Sequence, residues 1–337
     1  MRKFLLAVIL LLGIVFIIGR FAEVQKIVET LQRGDWRFLL LALVFQGLWL
    51  LNVGASYREI YKAIGLEEDA RHLLLMATAA NFLNIVAPSV GMSGMAVFIS
   101  EARRRNNPVG RVAIAGVLYL LLDYIAFLCI LALGLFVLFR RNNLNTGELV
   151  AGGLLFALSI VLAILIYLGT RSALLLGRAL AWMARLVNAV LRPFLKREYL
   201  SEERAYTFAH DASEGLKEIT QEPKKVIVPA LLALSQQILL IGVLYLSFKA
   251  FQVPVSTGTL IAGFSIGYLF MIVSPTPSGL GIVEGMLTLA LSSMYIPFSA
   301  AAVITLAYRG FTFWVPLLFG FFAVRLLGGT KDITAVV

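Results

Sequence analysis

Residues 88–94 read Pro-Ser-Val-Gly-Met-Ser-Gly, and residues 275–281 read Pro-Thr-Pro-Ser-Gly-Leu-Gly. Each lies in the middle of a long apolar stretch, 73–100 and 257–294. Proline removes a backbone donor and clashes with the preceding turn, while glycine lets the chain bend. Each stretch is therefore broken. It forms either one kinked membrane crossing or two half-helices that enter and leave on the same side. Composition makes the surroundings a membrane. Of 337 residues, 60% are hydrophobic and 14% charged, with a mean hydropathy of +0.90. A soluble domain averages about 45–50% apolar and about 25% charged. A soluble chain of this size could not bury so much apolar surface in one or two cores. A soluble globular enzyme, a disordered chain and a disulfide scaffold are excluded.

Six further stretches reach the roughly 20 apolar residues that a helix needs to cross a bilayer: 3–19, 37–56, 112–139, 149–170, 226–250 and 298–324. The first follows Arg2-Lys3 but ends at Gly19-Arg20 without a small-residue cleavage site, so it reads as a retained helix. Loop charge decides how the broken stretches run. If both are re-entrant hairpins and the N-terminus is cytoplasmic, cytoplasmic segments carry 21 Lys/Arg and external segments 7. As full crossings they would put Arg103–Arg105 and Arg111 on the side opposite loop 57–72. The positive-inside rule favours hairpins, with both termini cytoplasmic and the protein in the cell (cytoplasmic) membrane. The net charge of +10 fits this loop topology and anionic lipid; no nucleic acid partner is called for.

With an offset of 187, residues 82–94 align without a gap onto 269–281, and Ile85/Ile272, Val86/Val273, Pro88/Pro275 and Gly94/Gly281 are identical. Each hairpin also follows one crossing and precedes another. The expected fold is an all-α polytopic membrane protein with about six full transmembrane helices and two hairpins in an inverted repeat, an arrangement common among transporters. The chain reads as a single membrane domain, 1–337. Repeat 1 spans 37–139 with hairpin 73–100, and repeat 2 spans 226–325 with hairpin 257–294. Between them lies a basic cytoplasmic linker, 171–225.

At Ser274-Pro-Thr-Pro-Ser-Gly-Leu-Gly-Ile-Val-Glu284-Gly285, and again at Ala307-Tyr-Arg309-Gly-Phe-Thr-Phe-Trp314-Val-Pro316, the chain resembles the transmembrane, flippase-like domain of the lysylphosphatidylglycerol synthase family. Pro88, Gly91, Gly94 and Asp123 fit the same likeness, which runs from about residue 5 to residue 327. The resemblance implies a membrane domain that moves phospholipids, in some members aminoacylated ones. Full-length synthases add a soluble aminoacyl-transfer domain. This sequence ends at Val337, thirteen residues after the last crossing, so synthase activity is not expected of it.

Broken helices expose backbone N–H groups at half-helix N-termini, which suit an anion such as a lipid phosphate. Pro88, Gly91, Gly94, Pro275, Pro277, Gly279 and Gly281 are thus candidates to shape a head-group site where the two tips meet. Three ionisable residues lie in the apolar helices, where an unpartnered charge costs about 2.5–3.5 kcal/mol. Arg309 and Asp123 each sit eleven residues into the last crossing of a repeat, and Glu284 starts the second half-helix. One reading gives Arg309 the phosphate in a bidentate grip, with Glu284 and Asp123 orienting it, meeting a cationic head group or taking up a proton. The plainer one pairs Arg309 with a carboxylate for structure. Asn84, Asn81, Ser89, Ser93, Gln46, Asn52, Gln236 and Gln237 face the same region, most simply as hydrogen-bonding groups between helices. Leucine at Gly279 or Gly281 is expected to stop transport without unfolding the chain.

In the linker, Arg171, Arg178, Arg185 and Arg192 recur every seven residues beside Leu175, Leu176, Trp182, Met183, Leu186 and Val190, ahead of a stop at Pro193. That is a basic amphipathic helix for an anionic leaflet. The function expected is a lipid flippase or transporter for an anionic or lipid-linked phospholipid-type substrate, not an enzyme. Its partners are membrane lipids, and a second copy or a lipid-synthesis enzyme could sit beside it. The alternatives are an intramembrane lipid-modifying enzyme and a lipid-binding accessory subunit. No clustered nucleophile, base or metal ligands favour the enzyme.

Overall fold

The computed structural model describes residues 27–86, 93–195 and 201–327, which are helical with no strand among them. The crossing expected at 3–19, together with Pro88, Ser89 and Gly91, lies outside the described residues. Twelve helices are named here in chain order: α1 (Trp36–Ala63), α2 (Ala70–Val86), α3 (Met95–Arg104), α4 (Val109–Arg140), α5 (Thr146–Arg171) and α6 (Ala173–Leu195). They continue as α7 (Glu202–Gln221), α8 (Ile227–Ala250), α9 (Thr257–Val273), α10 (Ile282–Ser293), α11 (Phe298–Arg309) and α12 (Val315–Leu326). Among the described residues, five spans are long and apolar enough to cross a membrane: α1, α4, α5, α8 with its leading turn, and the continuous α11–α12. They match five of the six stretches expected.

Local chemistry sets the ends. Asp35 accepts from the Arg37 N–H at the start of α1, and Ser256 accepts from the Thr259 N–H at the start of α9. Glu148 reaches back to accept from the Asn145 N–H (3.1 Å) at the start of α5, which satisfies a donor the first turn leaves free. Two departures from the expected boundaries stand out. The last crossing widens into a π turn over Gly310–Trp314. And α6 does not stop at Pro193 but runs to Leu195; a proline there forfeits only the closing hydrogen bonds of the helix.

The 257–294 stretch breaks between Val273 and Ile282, and its halves pack antiparallel. Gly263 meets Leu291 and Gly267 meets Leu287. The halves of the first stretch do likewise, with Gly94 against Ala80 and His72 3.2 Å from Glu101. At about 25 Å, a 17-residue helix such as α2 or α9 falls short of the roughly 30 Å hydrocarbon core.

The two pairs open toward opposite ends of the bundle. At one end Arg105 of the first pair binds Glu68 (2.6 Å), and Arg104 donates to the Leu327 carbonyl (2.8 Å) at the close of α12. At the other, the Arg141 guanidinium reaches Thr259 (2.9 Å), Asn143 reaches the Ser293 carbonyl (2.9 Å), and the Asp35 N–H meets the Ala250 carbonyl. Each pair has its own apolar core, one centred on Phe98, Leu73 and Tyr61, the other on Phe264, Leu269 and Leu291. Trp49 packs against both cores. The sequence offset of 187 also relates the helices. Added to the bounds of α1, α2 and α4 it gives 223–250, 257–273 and 296–327, close to the observed Pro223–Ala250, Thr257–Val273 and Phe298–Leu326. α1 packs on α8, α2 on α12, and α9 on α4.

Helix α6 lies against α7, with Leu176, Ala181 and Ala184 buried and Leu174, Leu175, Trp182 and Leu186 exposed. Leu176 thus faces inward, unlike its expected neighbours on the apolar surface. Arg171 stacks over Tyr167, and Arg178 is exposed.

Candidate functional site

Where the two cores meet, a cavity of about 170 Å³ opens between the halves. Helical spacing puts Gln46, Trp49, Val53 and Tyr57 on one face of α1, and Ala77, Ala80, Asn81 and Asn84 on one face of α2. Tyr119, Asp123 and Tyr124 reach it from α4. The second half supplies Leu240, Tyr268 and Met271, then Ser274, Thr276 and Ser278 from the broken turn, with Tyr308 and Thr312 beside the π turn. The C-terminal part of α2 also packs on Pro277–Gly279, so the first pair of helices touches the tip of the second.

Among the described residues that line the cavity, Asp123 is the one ionisable at neutral pH. It is 8% exposed, and its carboxylate accepts from Gln237 (2.9 Å) and Tyr268 (3.1 Å), both on second-half helices. Tyr57 stacks on Tyr119, with ring centroids 4.4 Å apart. The Tyr119 hydroxyl donates to Gln236, which donates to Ser56; Asn52 binds Ser235. Gln236, Gln237 and Asn52 therefore join helices, as expected of such groups. Gln46 does not. It is wholly buried, and neither its amide nitrogen nor its oxygen has a hydrogen-bond partner; the Asn81 side-chain nitrogen also lacks one. A buried amide without a partner costs about 1–3 kcal/mol. A cavity this size holds several water molecules or a small polar group.

The charged residues of the second half form a separate knot beside the cavity. The Arg309 Nε donates to Glu284 (2.6 Å), and a terminal nitrogen donates to the Ser278 carbonyl (3.0 Å). The guanidinium is 2% exposed and lies over Phe313, and it is not among the groups lining the cavity. Glu284 in turn accepts from the Gly281 N–H (2.7 Å). The ends of this knot hold a strained turn, with Ser278, Gly279 and Gly281 all at positive φ. Of the residues marked in the sequence, Asp123, Asn84, Asn81 and Gln46 line the cavity. Arg309, Glu284, Gly279, Gly281, Pro275 and Pro277 build the turn next to it, with Pro275 exposed and Gly279 buried.

Gly94 serves packing rather than conformation. Its φ is an ordinary −62°, and a methyl group there would meet the Ala80 carbonyl at 2.6 Å. Asn84 accepts from the Gly94 N–H (2.6 Å) and the Ser93 hydroxyl (3.1 Å), and so closes the start of α3. At Gly279, positive φ and crowding against the Met271 backbone coincide. Leucine at that position disrupts the turn itself, so the expectation of an intact fold does not hold there.

A family model of the lysylphosphatidylglycerol synthase transmembrane region matches residues 4–320. The chain belongs to that family. A UPF0104 membrane protein of Methanocaldococcus jannaschii is 24% identical over 328 residues, 95% of this chain and 94% of its own. A second UPF0104 membrane protein, from Methanothermobacter thermautotrophicus, is 22% identical over 331 residues, covering 96% and 94%. Membership of the lysylphosphatidylglycerol synthase transmembrane-region family makes this a membrane protein and points to a lipid-related role.

The sequence did not single out the tyrosines. Tyr57, Tyr124, Tyr268 and Tyr308 are buried and Tyr119 is half-buried around the cavity, whereas membrane tyrosines ordinarily collect at the interface. Their mid-helix positions were the available signal. Away from the cavity, Arg111 at the start of α4 binds Glu214 of α7 (2.8 Å). That hydrogen bond and the neighbouring positive charge hold the Glu214 carboxyl below its ordinary pKa.

Proposed function

We propose that the protein carries a lipid of phospholipid or lipid-linked type between leaflets. The head group enters the cavity between the halves, and the acyl chains remain in the bilayer. The observation that carries this reading is a cavity large enough for water, lined from both halves by apolar surface with a few polar groups, beside the tip of the second broken element. A bundle built only to pack would fill that space with side chains.

In this reading the helix pairs α2–α3 and α9–α10 are re-entrant hairpins inserted from opposite faces, and the halves form an inverted repeat. Three features support it: the short helices, the anchoring of the two pairs at opposite ends, and the reciprocal packing of α2 on α12 and α9 on α4. The end bearing Arg103–Arg105, Arg111 and α6–α7 is cytoplasmic by its excess of basic residues, in the cytoplasmic membrane. Rocking of one half against the other would expose the cavity alternately. Asp123 bridges to the second half through Gln237 and Tyr268 and meets the head group. Arg309 holds the turn that frames the cavity.

The test is reconstitution into liposomes with a fluorescent lipid, read by dithionite quenching of the outer leaflet. Protein-dependent loss of the protected signal is expected, reduced in Asp123→Asn. A lipid whose mass changes on incubation would identify an intramembrane enzyme instead. Binding without movement would identify an accessory subunit.

A further inference from the structure

We infer that the cavity recognises a hydroxyl-bearing head group, a glycerol or glycosyl unit, rather than an ammonium or a bare phosphate. The inference rests on the carrier reading for its setting and on the hydrogen-bonding inventory of the lining for its content. Gln46 presents an unpaired acceptor and unpaired donors from one fully buried amide, and Asn81 adds an unpaired donor. Asp123 offers acceptors only. Its two bonds to Gln237 and Tyr268 leave room for about two more on a carboxylate with roughly four acceptor sites.

A ligand that satisfies this set must donate and accept side by side. An ammonium donates but cannot accept, so the Gln46 and Asn81 nitrogens would stay unpaired. A phosphate mainly accepts, and beside Asp123 it would find no countercharge among the described lining residues. A hydroxyl does both. Adjacent hydroxyls on one head group could bridge Gln46 and Asp123, while the C–H faces of a polyol lie against Trp49 and the stacked Tyr57–Tyr119 pair. The apolar and amide lining explains why Gln46 stays polar in a fully buried position where leucine or methionine would pack at no cost.

Binding is measured in nanodiscs free of maltoside, whose own hydroxyls would compete. The readout is the part of the tryptophan emission that disappears in Trp49→Phe. Four short-chain dihexanoyl lipids are titrated: phosphatidylglycerol, a monoglucosyl diacylglycerol, phosphatidylethanolamine and phosphatidic acid. The two hydroxylated lipids should bind at least about tenfold more tightly than the other two, the scale of one buried hydrogen bond. The tighter of the pair names the source of the hydroxyls. Gln46→Met should erase that preference while leaving the melting temperature unchanged or raised, since it removes an unpaired buried amide. Asp123→Asn should weaken all hydroxylated ligands and keep the fold, because Gln237 and Tyr268 can still be satisfied by the amide. Equal binding of all four lipids would overturn the inference. So would tightest binding by phosphatidylethanolamine or phosphatidic acid, a preference that survives in Gln46→Met, or a melting temperature that falls in that variant. Selective binding without translocation would sink the carrier reading and leave this one standing. Translocation with no head-group preference would do the reverse.

Discussion

The two broken stretches solve one problem with different chemistry. In each, the backbone N–H of an aligned glycine, Gly94 or Gly281, needs an acceptor where a half-helix begins. The first uses Asn84, a neutral amide from the preceding helix. The second uses Glu284 from the helix it starts, and Glu284 is then bound to a buried guanidinium. The glycines differ too. Gly94 is required by close approach to Ala80, and Gly281 by a φ of +77° with open space around it. Both stretches thus break, but the means of stabilising the break differ. Charge closes the strained turn, because a guanidinium can hold a carbonyl and a carboxylate together. The uncharged acceptor at the first break, Asn84, also lines the cavity.

That contrast can be broken by experiment. The largest effect is expected from Arg309→Ala, which strands Glu284 and releases the Ser278 carbonyl. A loss of about 3–5 kcal/mol is expected, seen as a large drop in melting temperature by scanning fluorimetry. Arg309→Lys should recover only part, since an ammonium cannot span both acceptors in the same geometry. Asn84→Ala removes two hydrogen bonds to neutral donors and should cost less, about 1–3 kcal/mol in the same assay. Equal losses would erase the distinction between a break closed by charge and one closed by a neutral amide.

The glycines sharpen it further. Gly281→Ala should destabilise by about 1–3 kcal/mol through its backbone alone. Gly94→Ala should instead part α3 from α2, which a spin-label distance between the two helices would report. If Gly281→Ala leaves the melting temperature untouched, the strained turn is not what the knot holds.

The smallest effect belongs to the Arg111–Glu214 strap, which ties α7 to α4 of the first half. The folded state depresses the Glu214 carboxyl, so its contribution is present above the ordinary carboxylate range. It is lost as pH falls through the depressed value. Melting measured from neutral pH down to about pH 4 should therefore show a slightly steeper decline in the wild type than in Glu214→Gln. Identical slopes would mean that the strap adds nothing to the first half.

Much of the architecture was legible because helix length and apolarity are local properties. α4, α5 and α8 fall within a few residues of the expected stretches, α1 starts as expected but runs seven residues further, to Ala63, and Pro275-Thr-Pro-Ser-Gly-Leu-Gly281 marked the second break. Other features were not. The π turn at Gly310–Trp314 lies just ahead of Pro316, which has no N–H for the Thr312 carbonyl, a local signal that the apolar run of this crossing masked. The site was half legible. Asp123 and Asn84 announced themselves as polar groups in apolar helices, but so did Arg309 and Glu284, which turned to each other. Buried tyrosines look like any other aromatic residues until a cavity is seen between them.

The amino-acid sequence alone decided that this chain lives in a membrane, where its helices run and where two of them must break. Those outcomes depend on the cost of exposing polar backbone or apolar side chains, which each segment meets by itself. Which polar groups are spent on one another and which remain open to a ligand was settled by packing. A guanidinium and a carboxylate 25 residues apart, or an amide left alone at Gln46, acquire their roles from neighbours that only the assembled bundle supplies.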